Sequence, residues 1–216
     1  MKSTINSHIH AIVPLKIPSK SKTRLSHRLT RDQRSSLTIA MLVKVLTALR
    51  GARTVSSVTV VCADRRVRSI TEKCGATFLW EGHRHGLNRA LNFALKNLPN
   101  DSAVLIIHAD LPFLTAKEVD QIVNGAADHS IALVPSKDKT GTNAILMQVP
   151  GLIKLAFGKD SFRKHLNLTK KKRVSCSVLR IEGVAFDVDE EDDLDELLRR
   201  SGIKELRPKL QPPLSH

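Results

Sequence analysis

The chain has 216 residues, carries 35 Lys and Arg against 21 Asp and Glu for a formal charge of +14, and contains no tyrosine, one tryptophan and six phenylalanines. That length can bury one substantial core without disulfides or a structural metal, and a core so poor in aromatics must be built from Val, Ile, Leu and Ala. The charge points to an anionic partner, nucleic acid or phosphorylated small molecules, while the scarcity of rings removes the stacking platforms that single-strand binders use.

Residues 9–15 read as a buried strand, followed by a loop rich in Pro and Lys. Thr30-Arg31-Asp32-Gln33 is a capping-box pattern that opens a helix to about Arg50, with Gly51 placed to end it. Residues 57–62 form a second strand rich in β-branched side chains, Asp64 caps a short helix closed by Gly75, and residues 76–80 form a third strand. Gly86-Leu87-Asn88 opens the next helix, in which Leu87, Ala90, Leu91, Ala94, Leu95 and Leu98 recur at helical spacing. A fourth apolar run ends in Asp110, Thr115 to Glu118 is a second capping box, and residues 131–135 return as a strand.

This alternation of apolar strands and helices indicates a three-layer α/β/α sandwich around a mostly parallel sheet, covered by helices on both faces. The last third reads differently. Strands at 143–149 and 174–181 flank a short helix from Ser161, then come residues 183–188 and an acidic helix from Glu190 to Arg200, giving a mixed or antiparallel extension of the sheet. One domain over residues 1–204 is expected, with a disordered tail at 205–216. Cys62, Cys74 and Cys176 are odd in number and lack CxxC spacing, which excludes a disulfide framework and a zinc site and points to a reducing cytoplasm. No signal-peptide stretch and no run long enough to span a bilayer is present, so a soluble cytoplasmic protein is expected.

Ligands of open α/β sheets bind beyond the carboxyl ends of the strands, which selects the loop after Leu15, the loop before Gly86, and Asp110. Lys16, Lys22 and Arg24 on the first loop could neutralise a triphosphate, or be solvated surface charges; the loop is neither a Walker A nor a GxGxxG sequence. Asp110 is either a metal ligand at a strand end or a turn former before Leu111-Pro112. Asp187 and Asp189, one residue apart on an extended segment, point to the same side and would repel unless a hard cation such as Mg²⁺ lay between them; alternatively Asp189 caps the following helix. Phe157-Gly158-Lys159-Asp160-Ser161 offers free backbone N–H groups at a helix start with Ser161 as the cap, and Gly141-Thr142-Asn143 offers a hydroxyl and loop amides; both could hold an anion, or be a helix cap and a hairpin turn. The alternating pairs His8/His10 and His83/His85 are left out of the site, as is His165, and Lys170-Lys171-Lys172-Arg173 is read as a solvated loop without assigned function.

Taken in order, Val13-Pro14-Leu15-Lys16, Lys22-Thr23-Arg24-Leu25, Gly86-Leu87-Asn88, Ala109-Asp110-Leu111-Pro112, Gly141-Thr142-Asn143, Phe157-Gly158 with Ser161-Phe162 and His165, and Asp187-Val188-Asp189 resemble the 2-phospho-L-lactate guanylyltransferases of coenzyme F420 biosynthesis. The resemblance covers roughly residues 9–200, and departs from the commoner family pattern at Ser21 and in the strongly basic balance. It implies a nucleotidyltransferase of the glycosyltransferase A-like, Rossmann-related fold shared with nucleotide-diphospho-sugar transferases, and a homodimer. It further implies that Lys16, Lys22 and Arg24 contact GTP phosphates, Gly86 and Asn88 lie near the nucleoside, Asp110, Asp187 and Asp189 hold Mg²⁺, and Thr142, Gly158 and Ser161 cradle a phosphorylated three-carbon acid. Asp110, Lys22 and Arg24 would then be catalytic, through charge neutralisation and alignment rather than proton transfer, because the acceptor phosphate is already an anion. The rivals are a nucleotidyltransferase of the same fold acting on the molybdenum cofactor or a sugar phosphate, and a non-catalytic nucleic-acid binder using its basic surface.

Overall fold

The computed structural model describes residues 9–82, 86–98, 103–149 and 151–201. The expected tail at 205–216 and His8, His83 and His85 lie outside the described residues.

Among the described residues seven strands form one sheet: β1 (Ile9–Leu15), β2 (Val55–Cys62), β3 (Thr77–Trp80), β4 (Ala103–Ile107), β5 (Ile131–Pro135), β6 (Thr142–Gln148) and β7 (Cys176–Val178). Their order is β3-β2-β1-β4-β6-β5-β7, and only β6 runs against its neighbours. Side chains alternate between two faces along each strand, and both are covered. Ala103, Leu105 and Ile107 join one apolar cluster with α1 (Arg31–Gly51) and α4 (Ala116–Asn124), while Val104 and Ile106 join another with α3 (Leu87–Leu95). Burial on both faces is the reason these strands lack a polar side, and it makes the three-layer sandwich expected from the sequence.

Both capping boxes form: Thr30 with Gln33 opens α1, and Thr115 with Glu118 opens α4. Asp64 caps a single 3-10 turn that runs into α2 (Arg68–Lys73), and Gly75 closes it with a φ of 73°. Other expectations shift. Strand β4 stops at Ile107, so Asp110 lies in the loop beyond it rather than at the strand's last position. Helix α5 (Ser161–Lys172) is twice the expected length and absorbs Lys170, Lys171 and Lys172 into its last turn, where cations complement the helix dipole. Its N-cap is Asp160, not Ser161. Strand β7 is three residues long and pairs parallel to β5, and a single helical turn α6 (Glu182–Ala185) stands inside the segment expected to be extended. Helix α7 (Glu191–Ser201) follows as read. Among the described residues no helix is long and apolar enough to cross a membrane.

The sheet order changes direction at β1: β2 and β3 lie on one side of it and β4 on the other. The loops leaving β1 and β4 therefore diverge and open a crevice between them, the usual ligand position in such sheets. A third apolar cluster of Leu25, Leu29, Leu37, Met41, Phe186, Val188, Leu194 and Leu197 ties the loop after β1 to the segment before α7 and to α7 itself. That contact carries the N-terminal cations to the C-terminal carboxylates.

Candidate active site

A cleft of about 870 Å³ opens at this crevice, lined by the loops after β1 and β4, the β5–β6 hairpin, Gly158, Ser161 and residues 185–193. Lys22 is its centre. Its backbone sits in the left-handed region at a φ of 52°, a strained setting for a side chain. The ammonium is buried and donates to Asp110 Oδ2 at 2.5 Å and to Asp189 Oδ1 at 2.8 Å. Burial opposes the charge of Lys22, but Asp110 and then Asp189 outweigh it and hold the pKa above the ordinary lysine range. Burial likewise resists ionisation of Asp110, and Lys22 overcomes it, leaving the carboxyl below its usual range. The other oxygen of Asp110, Oδ1, is buried and has no hydrogen-bond partner among the described residues.

Asp187 behaves in the opposite way. Burial, reinforced by the charge of Asp110, pushes its carboxyl up to about 6, although Asn143 Nδ2 donates to Oδ1 at 3.0 Å. A carboxyl whose folded pKa lies above its unfolded value binds its proton more tightly when folded, so its ionisation costs stability as pH rises from about 4 through 6. Asp187→Asn is accordingly expected to raise the unfolding free energy by about 1–2 kcal/mol at pH 8, with the gain fading by pH 4, while turnover falls. Urea denaturation at both pH values checks it; an unchanged or lower stability at pH 8 would show that Asp187 carries no such cost.

Among the described residues the cleft lining is not basic: four cations, Lys16, Lys22, Arg24 and Lys137, face six carboxylates, Asp110, Asp138, Asp187, Asp189, Glu190 and Asp193. Arg24 is exposed and donates to Glu190 at 3.1 Å, and among the described residues Lys16 and Lys137 have no ion-pair partner. Hence the described lining of the cleft does not share the positive balance of the chain. Asp189 does not cap α7: Asp193 Oδ2 accepts from the backbone N–H of Asp189 and Glu190.

On the opposite wall, Thr142 N donates to Ser161 Oγ at 2.9 Å, Thr142 Oγ1 lies 3.0 Å from His165 Nδ1, and Ala156 N donates to His165 Nε2 at 3.0 Å. Asn88 reaches the same loop, donating to Phe157 O at 3.0 Å and accepting from Phe157 N at 2.9 Å.

Over residues 9–206 the sequence matches the family model described as "Guanylyl transferase CofC like". The chain belongs to the CofC-like guanylyl transferases. It is 37% identical over 190 residues to the phosphoenolpyruvate guanylyltransferase of Sphaerobacter thermophilus, covering 87% of this chain and 91% of that one. It is 31% identical over 191 residues to the 2-phospho-L-lactate guanylyltransferase of Methanocorpusculum labreanum, covering 88% and 83%. Among solved structures, a protein from Desulfovibrio desulfuricans G20 classed as a nucleotide-diphospho-sugar transferase superposes with a TM-score of 0.70 at 18% identity, covering 91% of this chain and 88% of that one. The CMP:2-keto-3-deoxy-manno-octonic acid synthetase complexed with CTP gives 0.63 at 11% identity, covering 90% and 98%. These two likenesses establish the nucleotide-diphospho-sugar transferase fold.

In this guanylyltransferase the structure gathers Lys16, Lys22, Arg24, Asp110, Thr142, Gly158, Ser161, Asp187 and Asp189 around one cleft. Gly86 and Asn88 do not line it, although Leu87 between them does. Both ends of the Asn88 amide are committed to Phe157, which makes it a clasp for the loop before α5. Asn88→Ala should therefore raise the KM for the acceptor about tenfold and leave that for the nucleotide within about threefold, in line with two lost hydrogen bonds that order a loop. Steady-state kinetics with each substrate varied separate the two; a nucleotide-only defect would return Asn88 to the nucleoside. Sequence reasoning gave Asn143 no role of its own. Yet it is buried and donates to Val184 O at 2.9 Å as well as to Asp187, tying β6 to the acidic segment. Its signal is an asparagine at the head of an apolar strand, where a buried amide must find partners.

Proposed function

We propose that this guanylyltransferase joins the GMP unit of GTP to the phosphate of phosphoenolpyruvate, with 2-phospho-L-lactate as the second acceptor, releases pyrophosphate, and serves coenzyme F420 biosynthesis. The observation that carries the reading is one cleft in which cations from the first loop, a carboxylate group and a hydroxyl-lined pocket meet. The acceptor preference rests on the higher identity to the phosphoenolpyruvate-named relative, 37% against 31%.

The donor set fits Mg²⁺. Asp110 has a buried oxygen without a partner, Asp187 lies beside it, and six carboxylates against four cations leave the cleft short of positive charge for two polyanionic substrates. Among the described residues no group of three or more acidic, His or Cys side chains is arranged to hold a cation alone, since Lys22 bridges Asp110 and Asp189. That suits an ion held by one or two carboxylates and completed by substrate phosphate oxygens. Asp110 and Asp187 would hold it, and Asp189, the third carboxylate expected to join them, is bonded to Lys22 through Oδ1 and would take part through its other oxygen. When bound, Mg²⁺ would neutralise charge at the transferring phosphoryl group and the departing pyrophosphate.

The chain's own residues do the rest. Lys16 and Arg24 meet the nucleotide phosphates, while Thr142, Gly158 and Ser161 orient the acceptor so that a phosphate oxygen attacks the α-phosphorus in line. That oxygen is ionised at neutral pH and needs no base to remove a proton. The reading includes a cytoplasmic homodimer, which light scattering would check. Pyrophosphate release is measured with GTP and phosphoenolpyruvate, 2-phospho-L-lactate or 3-phosphoglycerate in turn, with ATP as the nucleotide control. Release with GTP and the first two is expected; none with any acceptor would sink the assignment.

A further inference from the structure

The pocket beside α5 presents a puzzle of hydrogen-bond polarity. A helix N-terminus ordinarily holds an anion through free backbone N–H groups. Here Ser161 N donates to Gly158 O at 3.0 Å and Phe162 N to Thr140 O at 3.3 Å, so two of those groups are consumed inside the protein. Whatever binds an anion at this wall must use other donors.

The side chains supply them through a fixed sequence of roles. Ala156 N–H can only donate, so His165 Nε2 must present a lone pair. Burial, with smaller effects from His108 and Lys164, brings the pKa of His165 down to about 4 and keeps the ring neutral at physiological pH. A neutral ring without a proton on Nε2 carries it on Nδ1, and that N–H points at Thr142 Oγ1, 3.0 Å away. Thr142 Oγ1 is thereby an acceptor. Ser161 Oγ is an acceptor as well, because Thr142 N donates to it at 2.9 Å. Each hydroxyl has spent a lone pair within the protein, and among the described residues neither hydroxyl hydrogen has a protein acceptor. Both residues stand in the wall of the cleft and are buried, Thr142 at 0% and Ser161 at 2% exposure, so a ligand would meet their hydroxyl hydrogens at the floor of the pocket rather than at its rim.

We propose that His165 is a positioning residue which, by holding its proton on Nδ1, leaves the Thr142 hydroxyl a donor that, beside the Ser161 hydroxyl set by the Thr142 backbone, pairs with an anionic group of the phosphorylated acid. The inference rests on the acceptor reading above. It adds why the pocket selects an anion: two oriented O–H donors with no matching acceptor suit phosphate or carboxylate oxygens and are ill matched to a neutral hydroxyl that must itself donate. The rings of Phe157 and His165 make an edge-on contact, with centroids 5.0 Å apart, that packs the imidazole in place.

Two substitutions divide the functions of the ring. In His165→Asn the amide nitrogen replaces Nδ1 and keeps a donor for Thr142; in His165→Gln the amide oxygen replaces Nε2 and keeps the acceptor for Ala156. With GTP and phosphoenolpyruvate as probes and pyrophosphate release as readout, His165→Gln should raise the acceptor KM by about ten- to a hundredfold, the range for a hydrogen bond to a charged group, with the GTP KM within about twofold. His165→Asn should be impaired less than His165→Gln. Thr142→Val should resemble His165→Gln, and the double variant should be no worse than Thr142→Val alone, because the histidine acts through that hydroxyl. Equal defects in the Asn and Gln variants, or multiplying defects in the double variant, would reduce His165 to a support for its loop and overturn the proposal. A ¹⁵N spectrum of the histidine rings, assigned by loss of one signal in His165→Asn, reads the tautomer without any assay. A proton on Nδ1 is expected, and one on Nε2 overturns the inference. Failure of the wild-type protein to release pyrophosphate would instead sink the acceptor reading and leave the tautomer result standing.

Discussion

Replacing Lys22 with methionine is expected to cost about 3 kcal/mol of folding stability at pH 7 and to lower turnover on the order of 10³-fold. The stability loss follows from what the ammonium faces: Lys22 and Asp110 are largely buried, and only Asp189 has substantial contact with solvent. Removing one partner of such a pair leaves an uncompensated charge, which is why the loss should approach the range for broken buried pairs and stay at its low end. The pH dependence has a definite sign. In the wild type Asp110 has a folded pKa below its unfolded value, so the pair contributes stability above about pH 4 that is lost as pH falls through the folded pKa. In the variant the Asp110 pKa rises, so the deficit should be largest near neutrality and shrink as pH is lowered. Urea denaturation at pH 7 and pH 4 tests this, and equal deficits at both would show that Lys22 is not the counter-ion of Asp110. Addition of Mg²⁺ should raise the unfolding midpoint of the variant more than that of the wild type, since Asp110 and Asp189 would have lost the cation that bridges them.

Lys22 also marks the boundary of what the sequence makes legible. The sheet and its helices follow from local signals: apolar strands with helices between them, and two capping boxes whose side chains reach only three residues along the chain. Helix α5 was underestimated because Asn167 and Thr169 interrupt a pattern that tertiary packing and a basic last turn sustain. A single helical turn at Glu182–Ala185 carries no periodicity to read. The bond between Lys22 and Asp189 joins residues 167 positions apart, and no spacing rule reports it; only the resemblance placed them together. Asn88, which the family pattern associates with the nucleoside, hydrogen-bonds Phe157 through both ends of its amide, a contact that no spacing in the sequence reports. Net charge is the least informative signal, because among the described residues the cleft lining holds more carboxylates than cations.

Asp110→Asn should abolish nearly all turnover, a loss on the order of 10³-fold or more, in a protein that stays folded. The substitution preserves shape and leaves one oxygen able to accept from Lys22, which also keeps Asp189, so no charge is stranded. What disappears is the negative charge shared by Oδ1, which among the described residues has no hydrogen-bond partner, and with it the oxygen proposed to meet the cation. Binding should therefore split according to metal. Without Mg²⁺ the variant is expected to bind GTP as tightly as the wild type or more so, because one like charge has been removed from the path of a polyanion. With Mg²⁺ the tightening seen in the wild type should be lost. Calorimetry with and without the ion, beside single-turnover pyrophosphate release, separates the two effects. A variant with wild-type turnover would remove Asp110 from the reaction, and one with full Mg²⁺-dependent tightening but no turnover would move the metal to Asp187 and leave Asp110 as the anchor of Lys22.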